Sequence, residues 1–295
     1  MAEAEWVAVD WGTSNLRAWA MKGSKQLDEA SSDKGMGGLD PEQFEPALLE
    51  LIGGWLPKKR RMLVLACGMV GARQGWVEAP YSQVPARPIN TADCTPAPAS
   101  DPRLDVRIIP GLCQMDPPDV MRGEETQIAG FLSGQPNFDG TLCLPGTHTK
   151  WVRAADGQVL AFSTMMTGEL YGLLAKRSVL RHSVSDEIDD EAFSGAARRS
   201  LADAGSLSGA LFGIRAASLL SEQAGAQGGS RLSGLLIGAE IAAARPSGPI
   251  TIIGAGTLAG LYGEALALAG RDVQIADARG VTLAGLSAAY REIGP

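Results

Sequence analysis

The chain has 295 residues, long for one compact domain and comfortable for two. Charged residues make up 20%, the net charge is −7 and acids and bases are mixed without a basic block, which argues against a nucleic-acid partner. Four scattered cysteines, two histidines, an acidic start (MAEAEW) and no apolar run of membrane-spanning length argue against structural zinc, a disulfide framework, a signal peptide and a membrane span, and lead us to expect a soluble cytoplasmic protein.

Val7 to Trp19 (VAVDWGTSNLRAW) sets the theme. Alternating apolar residues run up to Asp10, a polar turn (Gly12, Thr13, Ser14, Asn15) follows, and a second apolar run carries Arg17, which reads as a hairpin with a carboxylate at its mouth. Hydroxyls, backbone amides and a guanidinium in one small volume suit a polyphosphate, and Asp10 then requires a magnesium ion, since an acid alone repels phosphate. An ordinary hairpin with a polar turn is the alternative.

A third short strand completes a meander within Met21–Ser31, and the glycine-rich Lys34–Leu39 (KGMGGL) reads as a connector in preference to the border of a ligand site. Asp40-Pro41-Glu42 opens a helix to about Trp55, with Phe44, Leu48, Leu51, Ile52 and Trp55 at core spacing. Met62–Ala66 is a buried strand, and the following CGMVGARQGWVEAPY presents Gly68, Met69, Arg73, Gln74 and Trp76 as floor and rim of a polar ligand site, Arg73 offering a fork to a carboxylate. The alternative is a surface loop whose tryptophan covers the edge of the core. Pro80–Asp105 is a surface excursion with a strand or two, and a strand follows at Val106–Ile109.

In Pro117–Leu132 (PPDVMRGEETQIAGFL) Arg122, Gly123, Glu124 and Glu125 fall where a helix begins, placing the two acids either as general-base candidates or as routine helix caps. Thr141–Val152 (TLCLPGTHTKWV) repeats the first hairpin in kind: Gly146, Thr147, Thr149 and Lys150 provide a turn, hydroxyls and a cation, while His148 reads as solvated or hydrogen-bonded. Two such units half a chain apart suggest two related halves facing one cleft. Thr167 and Glu169 open the next helix, as a cap or at a ligand, and residues 183–208, with acids at 186–191, read as a solvated helical insertion. Helices follow at Phe212–Leu220 and Leu232–Ala244, the latter with small residues for close packing.

Pro249–Asp277 (PITIIGAGTLAGLYGEALALAGRDVQIAD) satisfies G-x-G-x-x-A with an acid some twenty residues on, as a dinucleotide-binding unit does. Only eighteen residues remain after Asp277, so the second half of such a fold is missing. Gly254 and Gly256 serve equally to admit an adenosine and its α-phosphate.

Together these motifs resemble the superfamily of acetate and sugar kinases, heat-shock chaperones and actin. ACGMVGARQGWVEAPY, MRGEETQ, LPGTHTKWV and TGELYGLL, over essentially the whole chain, are similar to the family of 2-dehydro-3-deoxygalactonokinases. The resemblance implies an α/β, two-lobed actin-like ATPase (ribonuclease H-like) fold, with lobes 1–136 and 137–295, the last helix returning to the hinge, and the active site in the interlobe cleft. It implies transfer of the ATP γ-phosphate to the 6-hydroxyl of 2-dehydro-3-deoxy-D-galactonate in galactonate degradation. Carried over by position, Asp10 holds Mg2+ through water, Gly12, Thr13, Ser14, Asn15 and Arg17 meet the β- and γ-phosphates, and Gly146, Thr147, Thr149 and Lys150 close on the γ-phosphate. Gly254 and Gly256 receive adenosine, Arg17 is a catalytic cation, and Glu124, where related kinases have the shorter aspartate, is the base, with Glu125 the alternative. Arg73 is the candidate for the substrate carboxylate, with Gly68, Met69, Gln74, Trp76, Thr167 and Glu169 around the sugar acid. Lobe closure to exclude water places a hinge near residues 133–140 and at the C-terminal helix. Two rival readings are a dinucleotide-dependent oxidoreductase and an ATP-switched interaction protein; a kinase of the gluconate-derived epimer is a variant of the first.

Overall fold

The computed structural model describes residues 3–185, 187–221 and 226–294, so Asp186 of the acidic run lies outside the described residues. The chain divides into two compact units: Met1–Phe138 with Ala154–Ala161 and Ala278–Pro295, and Asp139–Arg153 with Phe162–Asp277. The segments 154–161 and 278–295, which a single cut after residue 136 leaves with the second lobe, thus belong to the first unit.

The first unit is built on a six-stranded sheet in the order β3-β2-β1-β4-β7-β6. Its alternating apolar segments form the antiparallel meander β1 (Trp6–Trp11), β2 (Leu16–Lys22) and β3 (Lys25–Ser32). β4 (Met62–Cys67) and β7 (Leu104–Ile108) continue it in parallel, and β6 (Thr95–Pro96) pairs antiparallel with β7. The central strands are buried on both faces, as their continuous apolar runs require. α1 (Phe44–Ile52) covers one face with Phe44, Leu48 and Ile52. A separate three-stranded sheet pairs β5 (Tyr81–Gln83), β8 (Gly111–Met115) and β9 (Pro118–Met121), and β9 leads into α2 (Glu124–Gly134). The β8–β9 hairpin has no counterpart in the sequence reading.

The second unit has a sheet in the order β12-β11-β10-β13-β14, the same pattern of a three-strand run followed by parallel strands. Its strands are β10 (Gly140–Leu144), β11 (Thr149–Ala155), β12 (Gln158–Met165), β13 (Ile250–Gly254) and β14 (Val273–Asp277), with the end of β11 and the start of β12, within 154–161, falling in the first unit. The suspected dinucleotide unit is therefore the β13–β14 edge of a sheet begun a hundred residues earlier. Among the described residues, the helices that follow or separate these strands include α3 (Thr167–Arg177), α4 (Asp190–Ala202), α5 (Leu207–Leu220), α6 (Gly228–Ala244) and α7 (Gly256–Leu268). α4 is no solvated insertion, because Phe193 and Ala197 are buried in the core and Gly234 and Gly238 of α6 let the two backbones touch. The last helix, α8 (Ala278–Ile293), packs against α2 in the first unit.

Candidate active site

In the first unit three backbone ends converge on Gly68. Asp10, near the end of β1, is the register partner of Arg17 on β2 and of Cys67 on β4, and Gly68 follows Cys67 directly. Gly68 has φ +92°, and a Cβ there would stand 2.7 Å from the Trp11 carbonyl oxygen and 3.6 Å from Asp10 Oδ1. Only glycine meets both demands. On its other side lies Gly123, at the head of α2, whose own Cβ would reach the Gly68 Cα at 3.3 Å. Asp10 and the α2 acids thus flank one glycine at the carboxyl end of parallel strands, the usual ligand position in such sheets.

The charges there are finely balanced. Burial raises the Asp10 carboxyl above its ordinary range, and Arg17, with Nη2 3.5 Å from Oδ2, opposes the shift. Glu125 is fully buried; burial first and the neighbouring Glu124 second push it up to about 7, against hydrogen bonds from Gly123 N (2.6 Å) and Thr126 Oγ1 (3.0 Å). Glu124 accepts from the backbone N–H of Arg122 at 3.1 Å and keeps partial exposure. Both acids therefore tie down the backbone that leads into α2, and of the two only Glu124 is open to a substrate.

The first turn is closed by Gly12 N–H donating to Asn15 O (2.9 Å) and carries Thr13, Ser14 and Asn15 exposed. KGMGGL proves more than a connector. Met36 and Gly37 donate backbone bonds to Gly12 O (3.0 Å) and Thr13 O (2.9 Å), and a Cβ on Gly35 would stand 2.5 Å from Asn15 N, so the loop braces the turn from beneath. Arg73 and Gln74 are exposed and Met69 half-buried, as a rim requires. For Trp76 the structure agrees with the alternative, a tryptophan covering the core: it is 8% exposed and packed with Trp11 and Phe44, its ring stacked on Phe44 at 6.2 Å.

In the second unit, Gly146 and Thr147 of the second turn lie against Gly168, whose Cβ would come within 2.9 Å of Thr147 Cα. Glu169 N–H donates to Thr147 O (3.0 Å), and its carboxylate pairs with His148 Nε2 at 2.6 Å. Thr149, expected at the phosphates, is instead fully buried: its hydroxyl meets Tyr262 OH (2.8 Å), which donates to Glu240 Oε2 (2.9 Å). Trp151 Nε1 (2.7 Å) and the Thr167 hydroxyl complete the set around Glu240, whose carboxyl burial raises and these bonds lower. Sequence reading missed Tyr262 and the role of Glu240; the available signal was an acid within an otherwise small and apolar helix. Lys150, on the other face of β11, is 5% exposed and donates to Thr164 Oγ1 (2.7 Å). A cavity of about 450 Å³ opens beside this network, lined by Gly146, Thr147, Thr167 and Gly168 together with Ser230 and Thr257 near the starts of α6 and α7. That is the size of a small-molecule site, ringed by helix N-termini. Gly254 packs near Ala259 and Pro145, and Gly256 (φ +62°) opens α7 one residue before Thr257.

The family model for 2-keto-3-deoxy-galactonokinase matches residues 10–289, nearly the whole chain. The chain belongs to this family. It is therefore a kinase, a phosphotransferase. A 2-dehydro-3-deoxygalactonokinase of Escherichia coli strain K12 is 35% identical over 277 residues, 92% of each chain. A crystal structure described as a 2-dehydro-3-deoxygalactonokinase protein of Sinorhizobium meliloti superposes with TM-score 0.91 at 40% identity, covering 98% of this chain and 99% of that one. Component A of the (R)-2-hydroxyglutaryl-CoA dehydratase of Acidaminococcus fermentans, 13% identical, has TM-score 0.53 over 98% of this chain and 99% of its own, a likeness of fold alone. The kinase has the α/β actin-like ATPase fold, with a mixed sheet at the centre of each unit. No described helix is long and apolar enough to cross a membrane.

Proposed function

We propose that the kinase transfers the γ-phosphoryl group of ATP to the 6-hydroxyl of 2-dehydro-3-deoxy-D-galactonate, giving the 6-phosphate and ADP. The observation that carries this reading is the meeting of Asp10 and the head of α2 at Gly68, in a chain whose full-length relatives are named for this substrate. Glu124 takes the proton of the 6-hydroxyl as the phosphoryl group moves in line. Arg17 and the turn from Gly12 to Asn15 hold the β- and γ-phosphates, with Gly146, Thr147 and Lys150 acting on the same γ-phosphate. Thr149 acts through Tyr262 and Glu240 by holding its strand in place. Gly254 and Gly256 shape the entrance for adenosine, which the cavity beside Thr257 is large enough to take.

Asp10 is a carboxylate beside an arginine, and no group of three metal-ligating side chains occurs among the described residues. That donor set fits a magnesium ion held by one protein carboxylate and the nucleotide phosphates. Asp10 would hold it through water, and the ion would supply neutralising charge at the phosphate oxygens. Water must be kept from the γ-phosphate during transfer; the chain crosses between the two units at 138–139, 153–154, 161–162 and 277–278.

The test is a coupled ADP-release assay over a panel of 2-keto-3-deoxy sugar acids. Turnover should be greatest with the galactonate-derived acid and fall at least about 100-fold in both Glu124→Gln and Asp10→Ala, with nucleotide binding kept in the first. Full activity in Glu124→Gln moves the base elsewhere, and preference for the gluconate-derived epimer overturns the substrate.

A further inference from the structure

We propose that Arg122 seats the carboxylate of the sugar acid and that the Tyr81 ring is its cover. This rests on the kinase reading and names the side chain that recognises the substrate's charge, a task the sequence motifs assign to Arg73. Arg122 is 9% exposed, and no acid forms an ion pair with it among the described residues. Nη2 donates to the Ala79 carbonyl at 2.7 Å, while Nε and Nη1 are both buried with no partner among the described residues. A guanidinium is a planar cation with five donors, and burying it with donors unmet is unfavourable unless an anion completes the site.

Tyr81, 39% exposed, lays its ring 4.2 Å from the guanidinium carbon, and Gly111 gives the ring room. Gly71 closes another side, where a Cβ would stand 3.0 Å from Nη1. Tyr81, the Ala79 carbonyl and Gly71 are all neutral, so when the Tyr81 ring swings aside the fork meets an incoming carboxylate on this side.

The position also suits the length of the substrate. Arg122 precedes Gly123 and Glu124, and its own backbone N–H donates to the Glu124 carboxylate, whereas its guanidinium lies with Ala79 and Tyr81. The proton acceptor thus meets the backbone end of Arg122 and the anion seat is its guanidinium end, as the terminal hydroxyl and the carboxylate lie at opposite ends of a six-carbon acid. Arg73, exposed on the loop beyond Gly71, then attracts the acid at the rim.

The experiment compares wild type, Arg122→Lys, Arg122→Gln and Arg73→Ala with two acceptors, the keto-deoxy acid and its neutral primary amide, by ADP release and by calorimetric titration of each acceptor alone. Arg122→Gln should weaken the acid at least about 100-fold and Arg122→Lys at least about tenfold, because an ammonium lacks the fork. The amide and ATP should stay within about threefold of wild type, and Arg73→Ala should weaken the acid less than about fivefold. Equal loss for acid and amide, or an unchanged acid affinity in Arg122→Lys, overturns the assignment. Arg122→Lys keeps the charge and carries the test if Arg122→Gln does not fold. The wild-type assay judges the kinase reading by itself, and the titrations read Arg122 whether or not phosphate is transferred.

Discussion

Gly130 of α2 and Gly285 of α8 face each other at backbone contact: a Cβ on Gly130 would stand 2.7 Å from the Gly285 nitrogen, and one on Gly285 would stand 3.1 Å from the Gly130 nitrogen. The helix that begins with Glu124 and Glu125 is thus held from behind by the last helix of the chain, and neither backbone can retreat as a flexible side chain does. Overpacking ordinarily costs about 1–3 kcal/mol, and backbone contact places Gly130→Ala and Gly285→Ala at or above the upper end. Each should lower the urea midpoint and, by shifting the head of α2, lower kcat while the KM for ATP stays near wild type. Paired unfolding and ADP-release measurements check both effects.

The buried Glu125 makes stability depend on pH. Its carboxyl titrates at about 7 in the folded chain against an ordinary 4.5, so between those values the folded state holds the proton that the unfolded state has lost. Unfolding free energy should therefore fall as pH rises from about 4.5 to about 7, by a total of about 3 kcal/mol, and show no further loss from this group above that. Glu125→Gln is neutral throughout and should flatten this part of the profile, which urea titrations at pH 5, 6, 7 and 8 would show. A slope unchanged in the variant would assign the dependence to another group.

Tyr262 links Thr149 to Glu240 inside the second unit. Removing its hydroxyl in Tyr262→Phe strips a buried acceptor (Glu240) of its donor and a buried donor (the Thr149 hydroxyl) of its acceptor, and should cost about 1–3 kcal/mol. If the link is direct, Thr149→Val and Tyr262→Phe combined should cost less than the sum of the two, by at least about 0.5 kcal/mol in a double-mutant cycle.

Local pattern made the strands and helices readable. Alternation up to Asp10 and from Leu16, the helical spacing of Phe44, Leu48 and Ile52, and the glycine–threonine turn after Leu144 each specify an element from its own residues, because side-chain period follows directly from backbone geometry. The head of α2 was legible in the same way, with Glu124 and Glu125 at its start.

What those elements touch was decided by the tertiary structure. Trp76 had the sequence context of a rim and is instead core, because Phe44 and Trp11 come to it from other elements. Thr149 had the context of a phosphate ligand, yet its hydroxyl is taken by Tyr262, 113 residues away. Only the packed chain reveals which backbone each of Gly35, Gly68, Gly130 and Gly285 admits. A glycine announces that space is needed without naming its occupant, and a polar side chain announces that a partner is needed without choosing it. Both choices belong to contacts between segments far apart in the chain, which no local periodicity encodes.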